Sequence, residues 1–339
     1  MQQLISLPHQ NRGKNKMEIT LLEAINLALT YEMTHDKEVI VFGEDVAKNG
    51  GVFRATVGLL DKFGPERVLD TPLAETMIAG IAVGMAIQGL KPVAEFQFMG
   101  FIYSGLDHII NHASRYRNRT RGRLHCPIVY RTPYGAGIHS PEHHSESTEA
   151  LFAHIPGLRV VIPSSPLKAY GLLLASIRNP DPVIFLEPDR IYRLGKQEVE
   201  NNGQALPLDQ CFIIHPGTDI TLVSWGAMLH DTLIATKKLK EIGINAEVID
   251  VATIKPLDIN TIIDSVEKTG YCLVIHEAAR FCGVGAEIVA QLMEYAWDSL
   301  KAPVKRVAGY DTIVPYAQLE EYYLPSVNKI VDTVKNLIS

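Results

Sequence analysis

Two glutamates lie at places where α/β enzymes commonly bind ligands. Glu44 follows the β-branched run 39–42 after one glycine, and this run is typical of a buried strand; Glu75 precedes an apolar helical segment. Ligands of open α/β sheets bind beyond the carboxyl ends of the strands, so Glu44 is placed where functional side chains are usually found. The spacing alone favours a capping role, because acids stabilise helix N-termini and Thr71-Pro72 is typical of an N-cap followed by a first-turn proline.

A second cluster is the segment GAGIHSPEHHS (135–145), in which His139, His143 and His144 lie within six positions together with an acid. Imidazole and carboxylate groups can bind a transition metal or shuttle protons near neutral pH. The spacing is not the H-E-x-x-H of helical zinc sites, and Pro141 interrupts any regular helix. The downstream run HEAAR ends in Arg280 where another ligand would be needed. These features favour a proton-handling histidine, with a histidine-loop metallohydrolase as the alternative.

The elements that must position these residues follow from hydrophobic periodicity. Apolar β-branched runs alternate with segments of helical period, the pattern that builds parallel sheets covered by helices. We predict an α/β fold with two doubly wound, mainly parallel sheets. The polar stretch 193–216 has no sustained period and is predicted to be a linker, with a domain boundary near residue 200. Residues 1–16 are predicted to form a flexible tail, with Met17 as a possible start.

The predicted elements are assigned from the same pattern. The predicted helices are 19–33, 76–90, 101–116, 166–178, 228–242, 259–269, 286–300 and 327–337. The predicted strands are 39–42, 93–98, 128–131, 159–162, 183–186, 220–225, 246–251, 272–276 and 304–307.

The composition excludes several classes of protein. The chain has 339 residues, of which 47% are hydrophobic and 21% charged, as expected for about two globular domains. Its formal net charge of −6 provides no general field that attracts nucleic acid or an anionic membrane. No apolar run reaches the ~20 residues of a membrane-spanning helix. The four widely spaced cysteines form no C-x-x-C motif, so we expect a reducing compartment. The opening stretch is not a good transit peptide, which favours a bacterial cytoplasm, with a mitochondrial matrix as the alternative.

Specific motifs carry a resemblance to a known family. The sequence resembles the β subunits of thiamine-diphosphate-dependent 2-oxo acid dehydrogenases from about residue 17 to the end. Its second half, with GTDITLVSWGAMLHDTL and VIDVATIKPLDINTI, is similar to the transketolase C-terminal domain. The first-half motifs are VIVFGEDVAKNGGVFRATVGL (39–59), RVLDTPLAETMIAGIAVGMAIQGLKPVAEFQFMGF (67–101), GAGIHSPEHHSES (135–147) and GLRVVIPSSP (157–166).

The resemblance implies a transketolase-like pyrimidine-binding domain over 17–200 and a transketolase C-terminal-like domain over 201–339. It also implies residue roles. Glu75 matches the glutamate that hydrogen-bonds the aminopyrimidine of thiamine diphosphate and exchanges a proton with the ring nitrogen; burial raises the pKa of a carboxyl group and suits it to this exchange. Glu44 and Leu73 match neighbours in the same pocket, and Phe101 matches the aromatic residue that stacks on the pyrimidine. His144 matches the histidine that orients intermediates and assists acyl transfer to a lipoyl group.

The resemblance further implies a shared active site. The chain lacks a G-D-G followed by N-N, the motif that holds Mg²⁺ and the cofactor's diphosphate in this class. An α subunit is therefore expected to hold both, in an α₂β₂ heterotetramer. The resemblance also implies a potassium site, although Asn179 and Asp181 stand where relatives have Asp and Asn. Its residues would be Ile128, Ser176, Ile177, Asn179 and Asp181.

The implied partners are the lipoyl and subunit-binding domains of a dihydrolipoyl acyltransferase, docked on the C-terminal domain. Glu320 and Glu321 would suit a basic docking module, or form a solvated helix face. The implied substrate is a small 2-oxo acid. Within the family, the sequence is most similar to members that act on pyruvate, with branched-chain 2-oxo acids or acetoin as alternatives. A catalytically inactive scaffold subunit is a further alternative, against which the retained Glu75, Phe101 and His144 argue.

Overall fold

The computed structural model describes residues 16–339, and a seven-stranded sheet forms the centre of the first half. The neighbouring strands of this sheet run parallel, except for one antiparallel strand at an edge. Most of its strands are buried on both faces, which explains their near-continuous apolar sequences. In spatial order the strands are β12 (Thr253–Lys255), β6 (Arg159–Val161), β7 (Val183–Pro188), β5 (Val129–Tyr134), β4 (Lys91–Glu95), β2 (Val39–Gly43) and β3 (Val68–Asp70).

A five-stranded sheet forms the centre of the second half. Four of its strands are parallel, and the fifth is an antiparallel edge strand. In spatial order they are β14 (Lys305–Gly309), β13 (Cys272–Ala279), β10 (Ile220–Ser224), β11 (Ala246–Asp250) and β9 (Phe212–His215). A separate antiparallel pair joins β1 (Lys16–Ile19) to β8 (Gln197–Glu200). The prediction of two mainly parallel α/β sheets is confirmed.

Helices cover the sheets and begin at recognisable capping residues. Thr20 and Glu23 form a capping box at the first helix, and Ser165 caps the helix whose first residue is Pro166. None of the helices among residues 16–339 is both long enough and apolar enough to cross a membrane. The helices are α1 (Leu21–His35), α2 (Leu59–Phe63), α3 (Glu75–Ile87), α4 (Tyr116–Arg119), α5 (Glu149–Ala153), α6 (Pro166–Arg178), α7 (Met228–Glu241), α8 (Ile259–Thr269), α9 (Val284–Tyr295), α10 (Ala317–Tyr323) and α11 (Val327–Ile338).

The two halves interlock. Strand β12 lies in the second half of the sequence but pairs with β6 of the first sheet. The fully buried Glu149 of α5 accepts hydrogen bonds from the Tyr134 hydroxyl (2.7 Å) and from the indole of Trp225 (3.2 Å), just beyond β10. Trp225 and Tyr134 also belong to one hydrophobic cluster that runs between the sheets. The core is therefore continuous from one half to the other.

Several predicted elements differ from the structure. The predicted linker 193–216 contains β8 and β9, edge strands whose exposed residues hide the apolar alternation. The predicted helix 101–116 is a 3₁₀ segment (Met99–Gly105), a π-helical turn (His108–Ala113) and the short α4. The predicted tail lies outside the described residues except for Lys16. This residue belongs to β1, and its ammonium group forms an ion pair with the carboxylate of Glu198.

Candidate active site

Four adjacent parallel strands bring the predicted site residues to one edge of the first sheet. The spatial order β5-β4-β2-β3 places four carboxyl ends side by side. Glu44 follows β2, and Glu75 lies beyond β3 at the start of α3. Phe98 and Phe101 follow β4, and His144 lies in the loop after β5. Because the carboxyl ends of parallel strands meet at one edge, residues up to 100 positions apart converge here.

Direct contacts connect the ends of these strands. The amide Nε2 of Gln97, after β4, lies 3.3 Å from the Oδ2 atom of Asp45, after β2. The ring of Phe98 lies 4.2 Å from the ring of His144, centre to centre, in an edge-to-face arrangement. The structure therefore joins the acid segment to the histidine loop through the residues that follow β4.

Glu44 is a buried acid without a full set of hydrogen bonds. Only 6% of the residue is exposed, and its Oε1 atom has no hydrogen-bond partner among residues 16–339. Burial raises the pKa of the Glu44 carboxyl, and the negative charges of Glu75 and Asp45 raise it further; the backbone N–H of Ala74 opposes this. Glu44 and Glu75 are thus close enough for their charges to interact, as a shared ligand site requires.

The segment between β3 and α3 differs from the predicted cap. The helix begins at Glu75 after Ala74, without a capping side chain, so Thr71 and Pro72 are not its N-cap and first turn. The hydroxyl of Thr71 is buried and has no partner among the described residues. Leu73 is 81% exposed, which is unusual for a leucine and leaves it available to a ligand or a second chain.

An aromatic cluster surrounds His144. The ring of Phe101 lies 5.1 Å from that of His144, 5.3 Å from that of His143 and 5.6 Å from that of Phe98. Burial and the neighbouring His143 lower the pKa of His144, and Glu142 opposes them. The Nδ1 atom of His144 is buried without a partner among residues 16–339. The imidazole is thus held in an apolar setting with one nitrogen unused.

Gly100 permits the close approach of the histidine loop. A Cβ atom at this position would lie 2.3 Å from the backbone oxygen of His143 and 2.7 Å from its ring nitrogen. Residue 100 lies in the 3₁₀ segment that replaces the predicted helix, so the tight turn and the missing side chain serve the same contact. Neither Gly100 nor Phe98 was identified from the sequence, although both lie just before Phe101 in the same motif.

A buried charged network lies directly behind the site. Arg131 of β5 donates to Glu187 of β7 at 2.7 and 2.8 Å and to Glu95 of β4, and the Tyr192 hydroxyl donates to Glu187 at 2.6 Å. Arg131 is 1% exposed and Glu187 is fully buried. This network was not predicted from the sequence; the available signal was a charged residue in each of three buried strands.

Glu320 is not a docking acid, which corrects the prediction. It is only 1% exposed, and its carboxylate accepts the backbone N–H groups of Gly137 (2.7 Å) and His139 (3.2 Å). Its Oε2 atom also lies 2.7 Å from Nδ1 of His139. The side chain faces the histidine loop because α10 packs against it, whereas Glu321 is exposed.

The residues assigned to potassium lie together but are already engaged. The carboxylate of Asp181 lies 2.5 Å from the guanidinium of Arg117 and 3.7 Å from that of Arg159. The backbone oxygens of Ile128 and Ser176 accept the N–H groups of Val183 and Asn179. The side-chain oxygen of Asn179 accepts the N–H of Asp181, and Ile177 is buried beside it in α6. Two guanidinium groups oppose a further cation, so this set fits potassium poorly.

The histidine loop does not form a metal site in the structure. Among the described residues, the group of three potential ligands with atoms within 4.8 Å of one another is Asp107, His108 and His112, outside the loop. His143 and His144 point towards aromatic rings, and His139 pairs with Glu320. The loop thus fits proton handling better than zinc binding.

Comparisons with known proteins agree with this architecture. The transketolase pyrimidine-binding domain matches residues 17–195, and the transketolase C-terminal domain matches residues 209–330. The chain is 49% identical over 319 residues to the pyruvate dehydrogenase E1 component subunit beta of Acholeplasma laidlawii, covering 94% of this chain and 98% of that protein. It is 46% identical over 321 residues to the subunit of the same name from Bacillus subtilis (strain 168), covering 95% and 99%.

A solved structure shares the fold. The split-gene transketolase described as an inactive β4 tetramer has a TM-score of 0.78 to this chain at 22% identity, covering 95% of this chain and 99% of that one. At this identity the likeness concerns the fold alone.

Proposed function

The chain belongs to the family of pyruvate dehydrogenase E1 component β subunits, and on that premise we propose that it forms the β half of an enzyme that decarboxylates pyruvate. With an α subunit and thiamine diphosphate, the enzyme transfers the resulting two-carbon unit to a lipoyl group, giving acetyl-CoA in the full complex. The observation that carries this proposal is the 46–49% identity to proteins of that name over 94–95% of the chain.

The residues at the sheet edge fit the aminopyrimidine half of thiamine diphosphate. The buried Glu44 Oε1 and Thr71 Oγ1 atoms lack partners among the described residues, and an aminopyrimidine offers polar groups to such atoms. Phe101 offers an apolar face for the ring, and Leu73 has exposed apolar surface. When bound, the cofactor supplies a carbon nucleophile and an electron sink. Glu75 would hold and return the proton of a pyrimidine ring nitrogen.

His144 is proposed to act in the second half of the reaction. Its lowered pKa keeps the imidazole neutral near pH 7, so it can accept or donate a proton as the acyl group leaves for the lipoyl sulfur. The rings of Phe98 and Phe101 exclude water from one side of the imidazole. No role is assigned to His143 beyond its packing against Gly100.

The membership of the family implies an α subunit and a multisubunit complex. We propose that the α subunit holds Mg²⁺ and the diphosphate in an α₂β₂ heterotetramer, because this chain has no G-D-G motif. The proposed further partners are the lipoyl and subunit-binding domains of a dihydrolipoyl acyltransferase. We also propose a cytoplasmic location in a bacterial cell and a division into domains at 17–200 and 201–339, which the family matches to 17–195 and 209–330 support.

Release of labelled carbon dioxide tests the proposed function. The chain is co-purified with its α partner and assayed with carboxyl-labelled pyruvate, with and without thiamine diphosphate and Mg²⁺. We expect release that depends on both additions and on the α chain. The same complex is assayed with 3-methyl-2-oxobutanoate and acetoin, using an artificial electron acceptor. A higher rate with either compound than with pyruvate would identify that compound as the substrate. Inactivity with all three compounds would favour the alternative of a catalytically inactive scaffold subunit.

A further inference from the structure

The histidine loop has an unusual backbone at its first residues. Gly135, Gly137 and His139 all have positive φ angles, of 95°, 110° and 61°. The left-handed conformation is unfavourable for a residue such as histidine, and such conformations persist only where surrounding contacts hold them. The backbone N–H of Gly135 donates to the backbone oxygen of Glu146 (3.1 Å) and closes the base of the loop. Contacts beyond the loop must therefore hold its first turn in place.

Two buried carboxylates of the second half provide those contacts. Glu277, on β13, accepts the backbone N–H of Ala136 (3.0 Å) and the hydroxyl of Ser147 (2.7 Å), at the two ends of the loop. Glu320, on α10, accepts the N–H groups of the next residues along the loop, Gly137 and His139. Glu277 is 141 positions from Ala136 in the sequence, and Glu320 is 183 positions from Gly137. Distant parts of the chain thus hold the loop.

The contacts of Glu320 require a carboxylate. Its Oε1 atom accepts the N–H of Gly137, and its Oε2 atom accepts the N–H of His139 and lies 2.7 Å from the imidazole Nδ1. A glutamine would replace one acceptor oxygen with an NH₂ group that faces a donor. Hydrogen bonds to an ionised acceptor are stronger than neutral ones, and these are buried.

The position of His144 depends on the position of the first turn, because the intervening part of the loop is short and hydrogen-bonded. Only four residues separate His139 from His144, and the 3₁₀ turn Glu142–His144 is closed by the bond from the His144 N–H to the Pro141 oxygen (2.9 Å). The buried Ser145 hydroxyl donates to the same oxygen at 3.2 Å. A displaced first turn would therefore move the imidazole relative to Phe98.

We propose that Glu320, together with Glu277, is a positioning residue that holds the His144 imidazole in place for acyl transfer to the lipoyl group. The inference rests on the proposed function for the identity of the transfer step. It adds a second role for the C-terminal half, which contributes no side chain to the aromatic cluster around His144 but fixes the loop that carries it.

The test compares Glu320→Gln with Glu321→Gln in the assembled α₂β₂ enzyme. Both substitutions remove one negative charge, but only Glu320 contacts the loop. Hydrogen exchange of the amides in peptide 135–146 is measured, with kcat and KM for acylation of an isolated lipoyl domain. Decarboxylation with an artificial electron acceptor reports the first half-reaction. Thermal unfolding of each complex reports assembly.

We expect Glu320→Gln to speed exchange in peptide 135–146 by about tenfold or more, the ratio that corresponds to losing a hydrogen bond to a charged group. The kcat for the lipoyl domain falls by about tenfold with KM unchanged, and the artificial-acceptor rate stays within about twofold. Glu321→Gln matches the wild type in every assay, because an isolated lipoyl domain lacks the subunit-binding domain that Glu321 would dock. Glu320→Asp, which keeps two acceptor oxygens, recovers part of both losses.

The proposal would be overturned if Glu320→Gln showed the hydrogen-exchange rate and the kcat of the wild type. It would also be overturned if the rates of both half-reactions fell equally and hydrogen exchange became faster throughout the C-terminal half. If Glu320→Gln does not assemble, His139→Gly is used instead. This substitution removes the imidazole that pairs with Glu320, and glycine favours the left-handed backbone of residue 139. A smaller loss in the same two readouts is expected, and wild-type values would overturn the proposal. Inactive wild-type enzyme would refute the proposed function, whereas the exchange comparison would still decide whether Glu320 holds the loop.

Discussion

A buried carboxyl group without a complete set of partners lowers the stability of the protein that carries it, so its presence needs a reason. Glu44 is such a group, and Glu75 lies beside it at the start of a helix. A ligand that supplies hydrogen bonds and tolerates a mobile proton would offset the loss. The proposed division of work is that Glu44 lines the pocket while Glu75 exchanges the proton.

Replacing Glu75 by glutamine tests this division. The amide cannot exchange a carboxyl proton, so we expect decarboxylation in the enzyme assembled with its α subunit to fall by about 10²-fold or more. Assembly and the thermal midpoint should remain those of the wild type. The exposed Glu66 offers a matched control, because Glu66→Gln makes the same change at the opposite end of β3, away from the site. A Glu75→Gln enzyme with wild-type turnover would contradict the assigned role.

At the scale of elements, the site exists because four neighbouring strands end at one edge and the segments after them pack against one another. The segment after β4 turns sharply at Gly100, and the loop after β5 rests its His143 backbone on that turn. Ordinary helix geometry over 101–116 would not provide this contact. The turn and the loop therefore act as one unit.

The substitution Gly100→Ala tests this packing. The added Cβ would lie 2.3 Å from the His143 backbone oxygen, so the loop must move, and we expect acylation of a lipoyl domain to fall by about tenfold or more. The matched control is Gly84→Ala within α3, where nothing lies within 4 Å of the new atom. That change should keep activity and raise the free energy of unfolding by about 0.5–1 kcal/mol. Equal effects of the two substitutions on acylation would refute the packing argument.

At the scale of the whole molecule, the halves are joined by buried polar groups as well as by apolar surface. Glu149 binds Tyr134 of the first sheet and Trp225 beyond β10 of the second. Burial raises the pKa of Glu149 to about 7, with a contribution from the charge of Glu277, although the bonds from Tyr134 and Trp225 oppose it. The joint between the halves is therefore sensitive to pH.

The pH dependence of stability has a definite sign. The unfolded chain releases the Glu149 proton near its ordinary pKa of 4.5, and the folded chain retains it to about 7. Raising the pH through this window favours unfolding by up to about 3 kcal/mol, at about 1.4 kcal/mol per pH unit. Urea unfolding at pH 4.5 and 7.5 should show this loss in the wild type relative to Glu149→Gln. The exposed control Glu267→Gln should follow the wild type; an identical slope in all three would refute the prediction.

The halves are also predicted to be inseparable. A chain that ends at residue 200 lacks β12 and Trp225, so it exposes the edge of β6 and leaves Glu149 without one donor. We expect this fragment to aggregate or to lose its cooperative thermal transition, which circular dichroism and size-exclusion chromatography would report. The matched control is the full chain cut by a protease site placed at 202–204, which retains β12. A monomeric, cooperatively folding fragment would contradict the prediction.

The sequence contained much of the fold and part of the site. Apolar period predicted the buried central strands, and the family motifs contained Glu44, Phe101 and His144, which the fold brings to one edge. Strands β8 and β9 escaped prediction because they hold few buried residues, and β12 escaped because it is only three residues long; all three are defined by partners elsewhere in the chain. Glu320 was misjudged for the same reason: charge predicts exposure until the backbone groups that it binds are known.

The antiparallel strand β12 has a consequence for how the chain is made. Its partner β6 is synthesised about 90 residues earlier, an interval on the order of 5–20 s at ribosomal rates of 5–20 residues per second. During that interval β6 has unpaired backbone N–H and C=O groups at the open edge of the sheet and uncovered valine side chains, the kind of surface that chaperones protect. We expect ribosome-bound chains stalled before residue 253 to associate with chaperones more than chains stalled well after residue 255 has left the exit tunnel.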